Sequence, residues 1–78
     1  MWVRSQDKKL LANYTSFSVN RNFGGKKKFA IMGTISENSL WGSTKESLGL
    51  YDTMDKALDE LTKLQSALIN DTKVYEMS

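Results

Sequence analysis

The sequence predicts an α+β domain: a strongly bent antiparallel sheet, or a small barrel, of five to six short strands with one C-terminal amphipathic helix packed on its open side. Three observations predict it. Apolar residues recur at helical spacing in one stretch only, Met54, Ala57, Leu58, Leu61, Leu64, Ala67 and Leu68, and a helix with one apolar stripe must bury it against another layer. The rest of the chain alternates in short runs broken by Gly, Asn, Asp and Ser, the pattern of half-buried strands joined by turns. The 78 residues contain no repeat, low-complexity tract or linker, so residues 1–78 read as a single domain.

Trp2-Val3-Arg4-Ser5 is the first expected strand, with Gln6-Asp7-Lys8-Lys9 as a polar turn, and Leu10 to Tyr14 the second. Ser16 to Asn20 alternates cleanly and places Phe17 and Val19 on the covered face. Asn22-Phe23-Gly24-Gly25 tolerates positive φ and predicts a hairpin turn. Lys28 to Ile35 is the best strand: Phe29, Ile31 and Ile35 share one face with Gly33 between them, and Ala30, Met32 and Thr34 share the other. Apolar groups on both faces predict a central strand, or one whose outer face meets a partner.

Ser36-Glu37-Asn38 turns the chain into Ser39-Leu40-Trp41, residues 42–46 form a loop, and Leu48 to Tyr51 leads into the helix. Asp52 or Thr53 caps that helix by accepting from the free N–H groups of its first turn. Asp55 complements the positive end of the dipole, and Asp59 and Lys63 form a favourable pair four residues apart. The helix is expected to stop near Asn70-Asp71, with Thr72 to Met77 as a weak terminal strand.

Composition narrows the function classes. A chain this short buries only roughly 60% of its extended surface and gains a few kcal/mol from one core. With no Cys and no His, disulfides and nearly all transition-metal sites are excluded, which leaves self-association as the remaining stabiliser and a homo-oligomer as the expectation. Absence of Cys fits a reducing cytoplasm. Arg4 follows Met1-Trp2-Val3 before any long apolar run, so no signal peptide is expected, and no stretch is apolar enough for a membrane span.

The net charge of +2 is too small to imply a nucleic-acid partner by itself, but it is unevenly spread. Residues 1–40 carry seven basic against two acidic side chains, net +5, and residues 41–78 carry four against seven, net −3. A basic sheet half and an acidic helix half either steer an anion to one face or attract each other, within one fold or between subunits.

Catalysis has little to work with. General acid–base chemistry usually recruits His, and Asp55, Asp59 and Glu60 read as the solvated face of an amphipathic helix. There is no Gly-x-Ser-x-Gly elbow and no Cys nucleophile. Gly24-Gly25-Lys26-Lys27-Lys28 suits anions but lacks P-loop spacing; it reads as a hairpin turn followed by lysines that discourage edge pairing. A nucleic-acid surface would combine Arg4, Lys8, Arg21, Lys26, Lys27 and Lys28 with stacking from Trp2, Tyr14, Phe23 and Trp41. Trp2 and Trp41 are the leading contact candidates, and Phe23 at a turn tip has little core to enter.

The opening Met1-Trp2-Val3-Arg4-Ser5-Gln6-Asp7-Lys8 resembles that of a family of small uncharacterised proteins of Gram-positive bacteria and their phages. Gly49-Leu50-Tyr51, Thr53, Ala57-Leu58 and Tyr75-Glu76-Met77 match the family's later elements in order. The resemblance implies a cytoplasmic accessory protein of a bacterium or mobile element, a role such as inhibition of a host-defence component, and no catalytic residues. It also suggests a strand-end turn held by Asp7 and Lys8, and enlarged loops at residues 22–27 and 37–45 that are natural places for a ligand or partner.

The resulting expectation is a non-enzymatic, phage-related, homo-oligomeric binding protein without a cofactor. It engages a protein partner or small anionic ligand through Trp2, Arg4, Arg21, Phe23, Lys26, Lys27, Lys28 and Trp41. The alternative is a nucleic-acid-binding accessory protein using the basic N-terminal half.

Overall fold

A computed structural model describes residues 1–22, 25–35 and 44–78, among them six short strands and one helix. The elements are β1 (Trp2–Arg4), β2 (Leu11–Asn13), β3 (Ser16–Arg21), β4 (Phe29–Ile35), β5 (Thr44–Tyr51), α1 (Met54–Ile69) and β6 (Val74–Glu76). The α+β class, the number of strands and the C-terminal helix are as the sequence predicts.

The strands do not form one bent sheet or a barrel. They fall into two open three-stranded sheets, ordered β2-β1-β6 and β3-β4-β5. Nor is the pairing antiparallel throughout, because β6 returns alongside β1 in parallel, with Val3 opposite Tyr75. The connection between this parallel pair runs through β2 to β5 and α1, far longer than the crossover a parallel pair needs.

In the β3-β4-β5 sheet, β4 is central, and Val19 lies opposite Ile31 and Phe17 opposite Gly33. Phe17, Val19, Phe29 and Ile35 pack against a cluster of Val3, Tyr14, Ile31, Leu48, Tyr51, Ala57, Leu64 and Met77. β5 starts at Thr44, so Thr44, Lys45 and Glu46 are strand rather than loop. Its register slips between Ile31, opposite Gly49, and Met32, opposite Ser47, which leaves Leu48 unpaired. The bulge changes the parity of the strand. Leu48 and Tyr51, three positions apart, therefore both turn inward.

Gly33 has a packing reason. A Cβ there would lie 2.6 Å from Tyr14 Cδ1 and 2.8 Å from Leu48 Cδ1, so the Tyr14 ring lies directly on the bare backbone. The Tyr14 hydroxyl donates to Glu46 Oε2 at 2.7 Å. Tyr14 is therefore core, and it is withdrawn as a stacking partner for bases.

The helix starts where Thr53 Oγ1 accepts from the Lys56 amide at 3.2 Å, which assigns the cap to Thr53. Asp52 instead pairs with Lys56, its Oδ1 lying 3.2 Å from Nζ. The expected Asp59–Lys63 pair is replaced by Lys63–Glu60 at 3.8 Å. No described helix is long and apolar enough to cross a membrane.

The apolar stripe is only partly buried. Ala57, Leu64 and Ala67 are buried, whereas Met54, Leu58 and Leu68 are exposed, Leu68 by 63%. The alanine flank allows close approach to the sheet, and the leucine flank extends beyond the sheet's edge. Glu60 is the other correction: it is 2% exposed and belongs to the buried side, not to the solvated face with Asp55 and Asp59.

Candidate functional site: an apolar groove beside an open strand edge

The polar residues of the opening motif are committed to the chain's own architecture. Ser5 Oγ donates to Asp7 Oδ1 at 2.6 Å and accepts from the Leu10 amide, while Asp7 Oδ1 also accepts from the Lys9 amide. These hydrogen bonds, the Ser5 hydroxyl first, hold the Asp7 carboxyl below its ordinary pKa. Lys8 takes φ 67°, so the turn is held by Ser5 and Asp7, with Lys8 as its left-handed residue. Arg4 Nε donates to the Lys8 carbonyl at 3.2 Å, and Arg4 and Lys8 both reach Glu76, at 3.7 and 3.8 Å. Here the basic and acidic halves attract each other within one fold.

Gln6 ties three segments together. Its backbone amide donates to the Leu48 carbonyl at 2.7 Å, its Oε1 accepts from the Leu50 amide at 2.9 Å, and its Nε2 donates to the Ser78 carbonyl at 2.9 Å. The outer edge of β5 is thereby occupied. Beside it, Glu60 Oε2 accepts from the Tyr75 hydroxyl at 2.7 Å and the Ser78 amide at 3.0 Å, and the Tyr51 hydroxyl donates to the Ser78 carbonyl. Desolvation, reinforced by the Glu60 charge, raises the pKa of Tyr51 and Tyr75, and burial with the Glu46 contact raises that of Tyr14. The acid–base groups of this cluster bind their own chain.

The described members of the expected binding set fall on two different sheets. Trp2 and Arg4 share the outer face of the β2-β1-β6 sheet, where Trp2 lies opposite Val74 and Arg4 opposite Leu11 and Glu76. Arg21, Lys26, Lys27 and Lys28 are exposed at the β3–β4 end of the other sheet, where the Asn22 amide donates to the Lys28 carbonyl at 2.7 Å. Lys27 is close enough to contribute to the lowered pKa of Asp52, after the Lys56 hydrogen bond. β3 and β4 pair antiparallel on either side of the turn expected at Asn22 to Gly25, of which Phe23 and Gly24 lie outside the described residues. Phe23 and Trp41, with the strand expected at residues 39–41, lie outside the described residues.

One surface feature is not among the sequence-based expectations. The uncovered flank of α1 and Phe17 of β3 enclose an apolar groove of about 460 Å³, lined by Phe17, Leu58, Leu61, Leu64, Gln65 and Leu68, with Thr62 alongside. It runs along the β3 side of the sheet. The Asn22–Lys28 bond sets the alternation of the ladder, so even-numbered β3 residues bond to β4 while the backbone groups of Phe17, Val19 and Arg21 point to the other edge. Among the described residues nothing pairs with that edge, which carries no Pro, Lys or bulge.

The signal for the groove was in the sequence: an apolar stripe containing both Ala57 and Ala67 and the bulkier Leu58 and Leu68 is wider than one sheet edge covers. The signal for the Glu60 cluster was weaker, since its partners Tyr75 and Ser78 are brought in only by the return of β6. Compared with known proteins, the chain matches no family model, no curated protein and no solved structure.

Proposed function

We propose that the chain is a non-enzymatic binding protein whose working surface is the groove between α1 and β3, and that its partner is a protein. The observation that carries this reading is the exposure of Leu58 and Leu68 beside Phe17 in one continuous apolar depression. Apolar depressions rimmed by polar groups favour protein partners, and their buried centres dominate the affinity. The rim is present here as Thr62 and Gln65. The titratable groups near the groove's elements support the same reading, because Glu60 and the tyrosines around it are engaged in holding the fold.

A photoreactive residue in place of Leu58 tests this in living cells. It should give protein adducts, while the same residue in place of Lys63, exposed on the helix, should give none. Equal labelling at both positions would sink the reading.

The exposed set Arg21, Lys26, Lys27 and Lys28 favours a second reading, binding of nucleic acid or another polyanion at the hairpin end of the sheet. Affinity for single-stranded RNA or DNA should then fall steeply with salt and be lost on changing Lys26, Lys27 and Lys28 to Ala. Salt-independent or absent binding removes it.

A further inference from the structure

The groove adjoins a strand edge that no described residue pairs with, and the two together define a partner. We infer that the occupant is a second copy of this chain, joined across a two-fold axis by antiparallel pairing of β3 with β3 of the other copy. The inference rests on the protein-docking reading above and names the partner at that surface.

Three features support self-complementarity. The first is the backbone. Phe17, Val19 and Arg21 present their N–H and C=O groups outward at alternate positions. An antiparallel copy centred on Val19 meets them with the same groups, Val19 to Val19 and Phe17 to Arg21. On the opposite edge of the sheet, Gln6 already takes the Leu48 carbonyl and the Leu50 amide of β5, which opposes propagation of the pairing into a fibre.

The second is the apolar flank. β3 and β5 run in the same direction, both antiparallel to β4, and α1 reverses direction after β5 through Asp52-Thr53. Two-fold pairing at β3 therefore sets the two helices side by side and antiparallel above one continuous sheet. Each then presents Leu58, Leu61 and Leu68 toward the other, and the grooves merge into one buried seam.

The third is charge. The last turn of α1 carries no basic side chain of its own beside its negative dipole end. Phe17 lines the groove beside Leu64 and Leu68, in the C-terminal half of that helix. The register places Arg21 of the second copy opposite Phe17, on the helix side of the sheet. Its guanidinium then lies over the Phe17 ring and toward the end of α1 that lacks a cation. Each copy brings a cation to the helix end of the other.

Sedimentation equilibrium of the full chain at rising concentration tests the inference, with Arg21→Glu and Leu58→Glu as separate variants. The parent should reach twice its mass of 8.8 kDa, and each variant should weaken the dimer at least ~10-fold with its melting profile as a dilute monomer unchanged. A monomer at all concentrations, or a dimer indifferent to both changes, overturns it. The photoreactive residue at position 58 separates the two claims. An adduct between two copies supports both. An adduct with a different protein overturns the second copy while the docking reading stands, and no adduct overturns both.

Discussion

The two edges of the β3-β4-β5 sheet make opposite use of similar backbone. The β5 edge is closed by Gln6, which bonds to Leu48, Leu50 and Ser78. Next to it, Glu60 holds Tyr75 and Ser78. The β3 edge, by contrast, presents Phe17, Val19 and Arg21 beside exposed leucines. A strand edge is a standing invitation to pair. This chain ties one edge down with Gln6 of its own turn and borders the other with an apolar groove, so the difference separates the side where the fold is secured from the side proposed to meet a partner.

If that division is right, changes on the closed side cost stability and changes on the open side cost association. Glu60→Ala should be the most damaging, lowering unfolding free energy by roughly 3 kcal/mol in urea titrations, because two donors lose a buried acceptor. A loss below about 1 kcal/mol would mean that the cluster is incidental.

Alkaline pH attacks the same side. The folded pKa values of Tyr14, Tyr51 and Tyr75 are raised, so the unfolded chain releases these protons first. Their contribution is complete below about pH 10 and is lost as pH rises toward the folded values, by at most about 1.4 kcal/mol per pH unit for each tyrosine. Denaturation midpoints that stay flat from pH 9 to pH 11.5 would contradict this.

Gln6→Ala should cost about 1 kcal/mol and should specifically speed hydrogen exchange at the Leu50 amide, its direct donor. At the small end, Leu58→Ser should leave monomer stability within about 0.5 kcal/mol of the parent. A large loss there would show that the leucine flank is core after all and would erase the contrast.

Much of this was legible in residues. The face shared by Phe29, Ile31 and Ile35 follows from local periodicity, whereas the structure chose between the two readings left open for β4 and between Asp52 and Thr53 as the cap. What stayed hidden depends on contacts distant in sequence. Nothing near Glu60 signals that Tyr75 will donate to it, and no local pattern says that Val74 to Glu76 will pair in parallel with Trp2 to Arg4. The bulge at Leu48 defeats simple alternation for a different reason, since it changes parity inside one strand. The binding candidates read from the sequence were chosen as basic and aromatic residues, several of them at turns. The groove instead comes from a mismatch of widths between a helix stripe and the sheet beneath it.

The parallel pairing of β1 with β6 has a consequence for how the chain acquires its structure. β1 has one neighbour close in sequence, β2, and one reached only after almost the whole chain has been traversed. The β3–β4–β5 meander and its helix rely on shorter separations and are expected to assemble first, since pairing across a long loop is entropically slow. The β2-β1-β6 sheet is then expected to form last. Only when Val74 to Ser78 arrive does Val3 gain its pairing with Tyr75 and Glu60 its Tyr75 and Ser78 donors, so a single late step ties β1 and the helix together.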